Sequence, residues 1–162
     1  MISVVLTVYA RPNNLDLQIN ALLSQTIKPD EIIIVVDKNV NVEFDESRYS
    51  QYQVVKFSKN VGVWGRFAIC LLTKSEYICV FDDDTIPGSK WFENCINTLR
   101  DVDGLLGTIG VRFNSGSIDY NYSERVGWDN PNSKIELVDI VGHSWFFKRS
   151  LIEKFWNETS IH

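Results

Sequence analysis

Three short runs, Ile2–Val8, Glu31–Val36 and Tyr77–Phe81, are almost unbroken stretches of β-branched and apolar residues. A strand with one wet face alternates apolar and polar side chains, whereas a strand covered on both faces does not. The three runs therefore predict a mostly parallel sheet flanked by helices.

The segments between them supply those helices. Residues 14–25 carry Leu15, Ile19, Leu22 and Leu23 at helical spacing, with Asn13 or Asn14 available as a cap and Pro29 just beyond the end. Together with the first two runs this makes a βαβ unit. Residues 53–57 read as a further strand, followed by the turn Lys59-Asn60-Val61-Gly62 and a helix whose apolar face is Phe67, Ile69, Cys70, Leu71 and Leu72. Pro87 and Gly88 mark a turn, and Trp91, Phe92, Cys95, Ile96 and Leu99 stripe the next helix. Residues 105–113 return as a strand, and 114–133, rich in Asn, Ser, Gly, Asp and Tyr, read as a loop or short irregular hairpin. The chain resumes with 135–141, the aromatic cluster Trp145-Phe146-Phe147 and a short helix over 150–156. With no internal repeat or interdomain linker, the expectation is one α/β domain.

Composition narrows the partners. At 162 residues and 44% hydrophobic, the chain is long and apolar enough to bury a core. Sixteen Lys and Arg stand against 21 Asp and Glu, a net charge of −5, and no basic run interleaves with aromatics, so nucleic acid is not an expected partner. Met1 leads straight into Ile2–Val8 without a cationic leader, and no stretch is long enough to span a bilayer; a cytoplasmic chain without a membrane segment is expected. Cys70, Cys79 and Cys95 lie in apolar surroundings with neither a C-x-x-C pair nor zinc spacing, and read as buried reduced thiols.

The chemistry concentrates where Tyr77–Phe81 runs into Asp82, Asp83 and Asp84. Ligand sites in open α/β sheets lie outside the carboxyl ends of strands. Three adjacent carboxylates repel unless a cation neutralises them, and hard oxygen ligands suit magnesium or manganese. In an extended stretch Asp82 and Asp84 share one side and Asp83 points away, so the alternate pair can share a metal, or one can hold metal and the other a ribose hydroxyl. The plainer reading is a solvated turn that caps a helix starting near Ser89. A haloacid-dehalogenase-type phosphatase also places D-x-D after a strand, but it calls for Thr where this chain has Ile86.

The whole arrangement resembles the GT-A fold (Rossmann-like) glycosyltransferases, family 2 in particular. The residues that carry the resemblance are Val5-Leu6-Thr7-Val8-Tyr9-Ala10-Arg11, Leu22-Leu23-Ser24-Gln25-Thr26, and the phrase from Lys28-Pro29-Asp30-Glu31 to Val36-Asp37. The Asn60-Val61-Gly62 turn with Arg66 and the phrase Phe81-Asp82-Asp83-Asp84 complete the set, in that order. It is clear over 1–113, the nucleotide-sugar donor part, and looser over 142–149 within 114–162, the start of an acceptor-side part.

That resemblance implies a sugar transfer from a nucleoside-diphosphate sugar, UDP- or dTDP-type favoured, to a glycan or glycoconjugate hydroxyl. It further implies Mn2+ or Mg2+ dependence and inversion. Thr7, Tyr9 and Arg11 would line the nucleotide pocket, Asp37 would accept the imide of the base, and Asn60 and Gly62 would turn tightly against the donor. Arg66 would reach the diphosphate, with Asp82 and Asp83 at the donor. Asp84 would ligate the metal, joined by Asp82 or His143. Trp145 would touch the acceptor, while Trp64, Trp128 and Trp156 invite sugar stacking and Trp91 fits its helix stripe.

Family 2 enzymes usually carry the base carboxylate in a later Glu-Asp phrase, and this chain reaches His162 before one appears. The expectation is a piece of a longer protein with further domains, one that binds donor and metal but transfers sugar poorly. Within the chain Asp129 and Asp139, then Asp119 and Glu124, are the candidates for the base. Two other classes stay open: a sugar nucleotidyltransferase, although Tyr9-Ala10-Arg11-Pro12-Asn13 lacks its glycine-rich loop, and a non-catalytic carbohydrate- or nucleotide-binding module of the same fold.

Overall fold

The computed structural model describes residues 1–39, 41–114, 118–119, 121, 123–130 and 132–157. The apolar runs form the centre of a five-stranded sheet: β1 (Ile2–Val8), β2 (Glu31–Val36), β3 (Gln53–Lys56), β4 (Tyr77–Phe81) and β8 (Ser144–Lys148), in the order β3-β2-β1-β4-β8. The first four are parallel, with Val5 between Ile33 and Val80; β8 closes the edge antiparallel, Val80 opposite Trp145. Every residue of β1 is buried, as its unbroken apolar run requires.

Because side chains alternate across a strand, the sheet feeds two cores. Val4, Leu6, Ile32, Ile34, Cys79 and Phe81 pack under α1 (Leu15–Leu23) and α3 (Trp91–Asp101), meeting Leu15, Ile19, Leu22, Phe92 and Leu99. Val5, Ile33, Val35, Ile78 and Val80 face α2 (Gly62–Ile69) and α4 (Arg149–Asn157), meeting Ile69, Phe147 and Ile152. At about 1.5–3 kcal/mol for each fully buried aliphatic side chain, these two layers supply the main drive to fold. All three cysteines are buried and unbridged, and burial pushes the Cys70 and Cys95 thiols up to about 12.

A second, three-stranded antiparallel sheet carries β5 (Ile109–Phe113) between β6 (Ser123–Val126) and β7 (Ile140–Gly142). Here the structure departs from expectation. The strand expected over 105–113 begins only at Ile109; Leu106 bridges separately to Phe146, and a side chain at Gly107 would strike Val141 and the Ser144 carbonyl, so the chain jogs there between sheets. Of 135–141 only the last two residues enter β7, and Ile135 and Leu137 are exposed. The helix carrying Phe67 and Ile69 tightens into a 3₁₀ turn at Cys70–Leu72, closed by the Thr73 hydroxyl on the Cys70 carbonyl. Leu71 and Leu72 thereby turn out to solvent and leave the apolar face. Residues 158–162, where the chain reaches His162, lie outside the described residues.

Among the described residues no helix is long and apolar enough to cross a membrane.

Candidate functional site

The carboxyl ends of the four parallel strands lie at one edge of the sheet, and a cleft of about 150 Å³ sits there at the ends of β1, β2 and β3. Thr7 and Tyr9 from the end of β1, Asp37 after β2, and Asn60, Gly62 and Arg66 around the start of α2 line it, together with Val35, Phe57, Val61 and Val63. Six of the residues read from sequence as a nucleotide pocket are thus brought to one cavity.

Each is fixed by identifiable bonds. The Thr7 hydroxyl donates to the Phe81 carbonyl at 2.9 Å, tying β1 to the residue before the acidic run. Tyr9 is 42% exposed, and its carbonyl accepts from the Asn39 amide side chain. Asp37 Oδ1 accepts from the main-chain N–H of Val61 at 2.9 Å and of Lys38 at 3.0 Å, so this carboxylate orders the turn that follows β3. Asn60 Oδ1 accepts from the Gly62 N–H at 2.7 Å, and Gly62 has φ of 61°, the left-handed region that favours glycine. That turn delivers α2, whose Gly65 sits so close to Val61 and Phe57 that an added Cβ would collide with both.

The acidic run corrects the expected geometry. β4 ends at Phe81, and residues 82–85 form a turn closed by the Thr85 N–H on the Asp82 carbonyl. In a turn the strict alternation of an extended strand no longer applies: Asp83 and Asp84 both meet the Arg11 guanidinium, while Asp82 meets Arg66. Nor do they cap α3: its first residue follows Lys90, with no side-chain cap bond.

Asp82 forms an ion pair with Arg66, both side chains mostly shielded. Asp83 is buried. Its Oδ2 accepts from the Ala10 and Arg11 N–H groups at 2.7 and 2.9 Å, and its Oδ1 from the Arg11 guanidinium at 2.9 Å. Burial alone would raise the Asp83 carboxyl, but these two amides and the guanidinium outweigh it and hold it below the ordinary carboxylate value. Asp84 is the most open of the three at 37% side-chain exposure, 3.2 Å from the Arg11 guanidinium. The Arg66 guanidinium also lies over the Trp145 ring, 5.7 Å from its centroid, and its buried Nε has no hydrogen-bond partner among the described residues. Burial lowers the Arg66 pKa, while Asp37, Asp83 and Asp84 support its charge.

Gln18, which sequence reasoning passed over, and Asn14, which it read as a helix cap, hold this turn from below. Gln18 Nε2 donates to the carbonyls of Asp82 and Thr85 at 2.7 and 2.8 Å, and Asn14 Nδ2 donates to the Asp83 carbonyl at 2.9 Å. Asn14 therefore makes no cap bond to α1. The signal for Gln18 was present: it is an amide on the buried stripe Leu15, Ile19 and Leu22.

The later candidates lie differently. His143 meets the acidic turn through its carbonyl, which accepts from the Asp82 N–H at 3.1 Å. Its ring stands edge-on to Trp128 at 5.2 Å, and its φ of 64° is strained for a residue with a Cβ. Trp145 Nε1 donates to the Val141 carbonyl at 2.9 Å, and the ring packs against Phe67. Trp64 stacks on Phe155 and Trp156 donates to the Phe67 carbonyl, on the face formed by α2 and α4; Trp91 donates to Cys79 Sγ beneath α3. Asp139 accepts from the Phe113 N–H, Glu124 pairs with Arg112, Asp119 accepts from Asn121, and Asp129 is exposed after Gly127.

The donor set suits a hard divalent ion of the magnesium or manganese type. Among the described residues no group of three His, Cys, Asp or Glu side chains converges, and such ions are typically held by one or two carboxylates with substrate phosphates filling the sphere. Asp84, the most open carboxylate of the acidic turn, could offer oxygens of that kind, while Asp82 is taken up by Arg66.

Comparison with known proteins agrees with the fold. The chain is similar over 95% of its length to S. aureus TarS 1–349 in complex with UDP-GlcNAc, at 13% identity and a TM-score of 0.62, covering 47% of that chain. A mannosyltransferase, PcManGT from Pyrobaculum calidifontis in complex with GDP-Man and Mn2+, is similar over 95% at 14% identity and a TM-score of 0.62, covering 46% of that chain. The chain thus spans less than half the length of these structures. No curated protein sequence matches it. Residues 3–156 match the family described as glycosyl transferase family 2, and on that match, which takes in nearly all of the chain, the protein belongs to this family.

Proposed function

We propose that the chain binds a nucleoside-diphosphate sugar in the cleft at the ends of β1, β2 and β3, beside the acidic turn, and serves transfer of its sugar to a glycan or glycoconjugate hydroxyl. The observation that carries this reading is the convergence of Thr7, Tyr9, Asp37, Asn60, Gly62 and Arg66 on one cavity, with Arg66 bridging from it to the acidic turn, in a family 2 chain.

In this reading Tyr9 and Asp37 hold the nucleoside, with a uracil or thymine base favoured because a carboxylate accepts the imide N–H. Arg66 and Arg11 face the diphosphate, the planar guanidinium being suited to paired phosphate oxygens. Asp84, with Asp82, holds Mn2+ or Mg2+, which when bound supplies positive charge to the leaving diphosphate. The acceptor hydroxyl attacks the anomeric carbon from the face opposite the leaving group, with inversion, and loses its proton to a carboxylate. Within this chain Asp129 and Asp139 are the candidates for that base, and Trp145 for an acceptor contact.

The test is a thermal-shift screen of nucleoside diphosphates with and without manganese, on the parent chain and on Asp84→Ala. Ligand at a hundredfold excess over Kd adds about 2.7 kcal/mol to stability. Uridine or thymidine diphosphate should raise the melting temperature in a manganese-dependent way that Asp84→Ala removes. No response to any nucleotide rejects the donor site, and it is also what a pure sugar-binding module would give.

A further inference from the structure

Gln18 is 1% exposed and lies on the one face of α1 that packs against the sheet, between Leu15, Ile19 and Leu22. A leucine there would satisfy the packing. An amide in an apolar layer is tolerated only when its hydrogen bonds are made, and both bonds from Nε2 go to the carbonyls that begin and end the acidic turn, Asp82 at 2.7 Å and Thr85 at 2.8 Å. The turn's own closing bond, Thr85 N–H to the Asp82 carbonyl, is longer at 3.2 Å. One buried side chain thus grips the two ends of the segment that carries Asp82, Asp83 and Asp84, from the side of the sheet opposite Arg66 and α2.

We infer that Gln18 is a positioning residue for donor and metal binding: it sets where the Asp82 and Asp84 carboxylates stand without touching the ligand. This rests on the donor-site reading above. Gln25 provides the control, because it is also buried, just past the end of α1, and bridges to the backbone, donating to the Gly88 carbonyl at 2.7 Å and accepting from the Phe92 N–H at 3.3 Å, away from the acidic carboxylates. Loss of Gln18 takes the amide partner from the Thr85 carbonyl and loss of Gln25 takes it from the Phe92 N–H, and each lowers the melting temperature. Of the two amides, only Gln18 bonds the acidic turn.

The experiment titrates uridine diphosphate, with and without manganese, into the parent chain, Gln18→Met, Gln18→Asn and Gln25→Met, with a melting curve for each. Gln18→Met should weaken manganese-dependent binding by on the order of tenfold or more, since small misplacements of a binding group have effects of that size or larger. Gln18→Asn, whose shorter amide cannot span both carbonyls, should fall between Gln18→Met and the parent. Gln25→Met should lose comparable melting temperature and bind within about twofold of the parent. Equal affinity losses in Gln18→Met and Gln25→Met, unchanged affinity in Gln18→Met, or failure of both Gln18 variants to fold overturns the inference and leaves Gln18 a packing residue. A parent chain that binds no uridine diphosphate with manganese fails one step earlier, rejecting the donor site and the inference together.

Discussion

Asp83 holds Arg11 twice, its Oδ2 accepting from the Arg11 main-chain N–H at 2.9 Å and its Oδ1 from the guanidinium at 2.9 Å. With the Ala10 N–H as third donor, the middle carboxylate of the acidic run is committed to the loop after β1. It ties the acidic turn after β4 to the loop after β1.

Replacing Asp83 with Ala should therefore act on stability first. Two amides lose their charged acceptor, a loss of about 2–3 kcal/mol, or roughly 5–10 °C in melting temperature for a domain of this size. The same bonds give a pH signature. Because the folded carboxyl titrates below its unfolded value of about 3.9, its contribution is fully present above that value and fades as pH falls through the folded one. Melting temperatures of the parent chain and Asp83→Asn, followed downward from neutral pH, should converge below about pH 4. A gap that stays constant through that range argues against an anionic Asp83.

Arg66 and Asp82 should be energetically coupled. The pair is mostly shielded, with side-chain exposures of 16% and 26%, and the guanidinium is braced by the Trp145 ring. A double-mutant cycle of Arg66→Met and Asp82→Asn, read by chemical denaturation, should give about 1–2 kcal/mol of coupling. Zero coupling would mean that the two side chains meet without consequence. Arg66→Lys keeps the charge but not the planar fork, and should recover only part of the coupling.

The thiols should be silent until the chain unfolds. Cys70 and Cys95 are pushed up to about 12 and Cys79 well above its ordinary value, in each case by burial first. A thiol titrating near 12 is about one part in 10⁴ thiolate at pH 8, and only the thiolate reacts. Ellman's reagent should label none of the three in native protein and all three in denaturant; rapid native labelling would place a cysteine at the surface.

What sequence revealed and what it hid divide along physical lines. The runs Ile2–Val8, Glu31–Val36 and Tyr77–Phe81 match β1, β2 and β4 residue for residue, because a strand buried on both faces writes its limits directly into composition. The second sheet was harder to read because β6 and β7 are short and only partly buried, so neither writes a continuous apolar run, and apolar Ile135 and Leu137 just before β7 are exposed. The cleft residues were recognisable as motifs, yet their mutual bonds were not. Whether Asp82 meets a metal or Arg66, and whether Asp83 faces a ligand or the Ala10 amide, depends on tertiary geometry that the three-letter run Asp-Asp-Asp does not encode.

Asp37 offers the sharpest separation of roles. Its Oδ1 holds the Val61 and Lys38 N–H groups, so Asp37→Ala would loosen the Asn60-Val61-Gly62 turn as well as remove any contact to the base. Asp37→Asn keeps a carbonyl oxygen for those two amides and replaces the other carboxylate oxygen with a donor, which cannot accept a uracil imide N–H. Uridine and thymidine diphosphates should then bind at least about tenfold more weakly, while guanosine and adenosine diphosphates change little. Isothermal titration of the four nucleotides with manganese reads this directly. Equal weakening across all four would trace the effect to the turn and remove base recognition from Asp37.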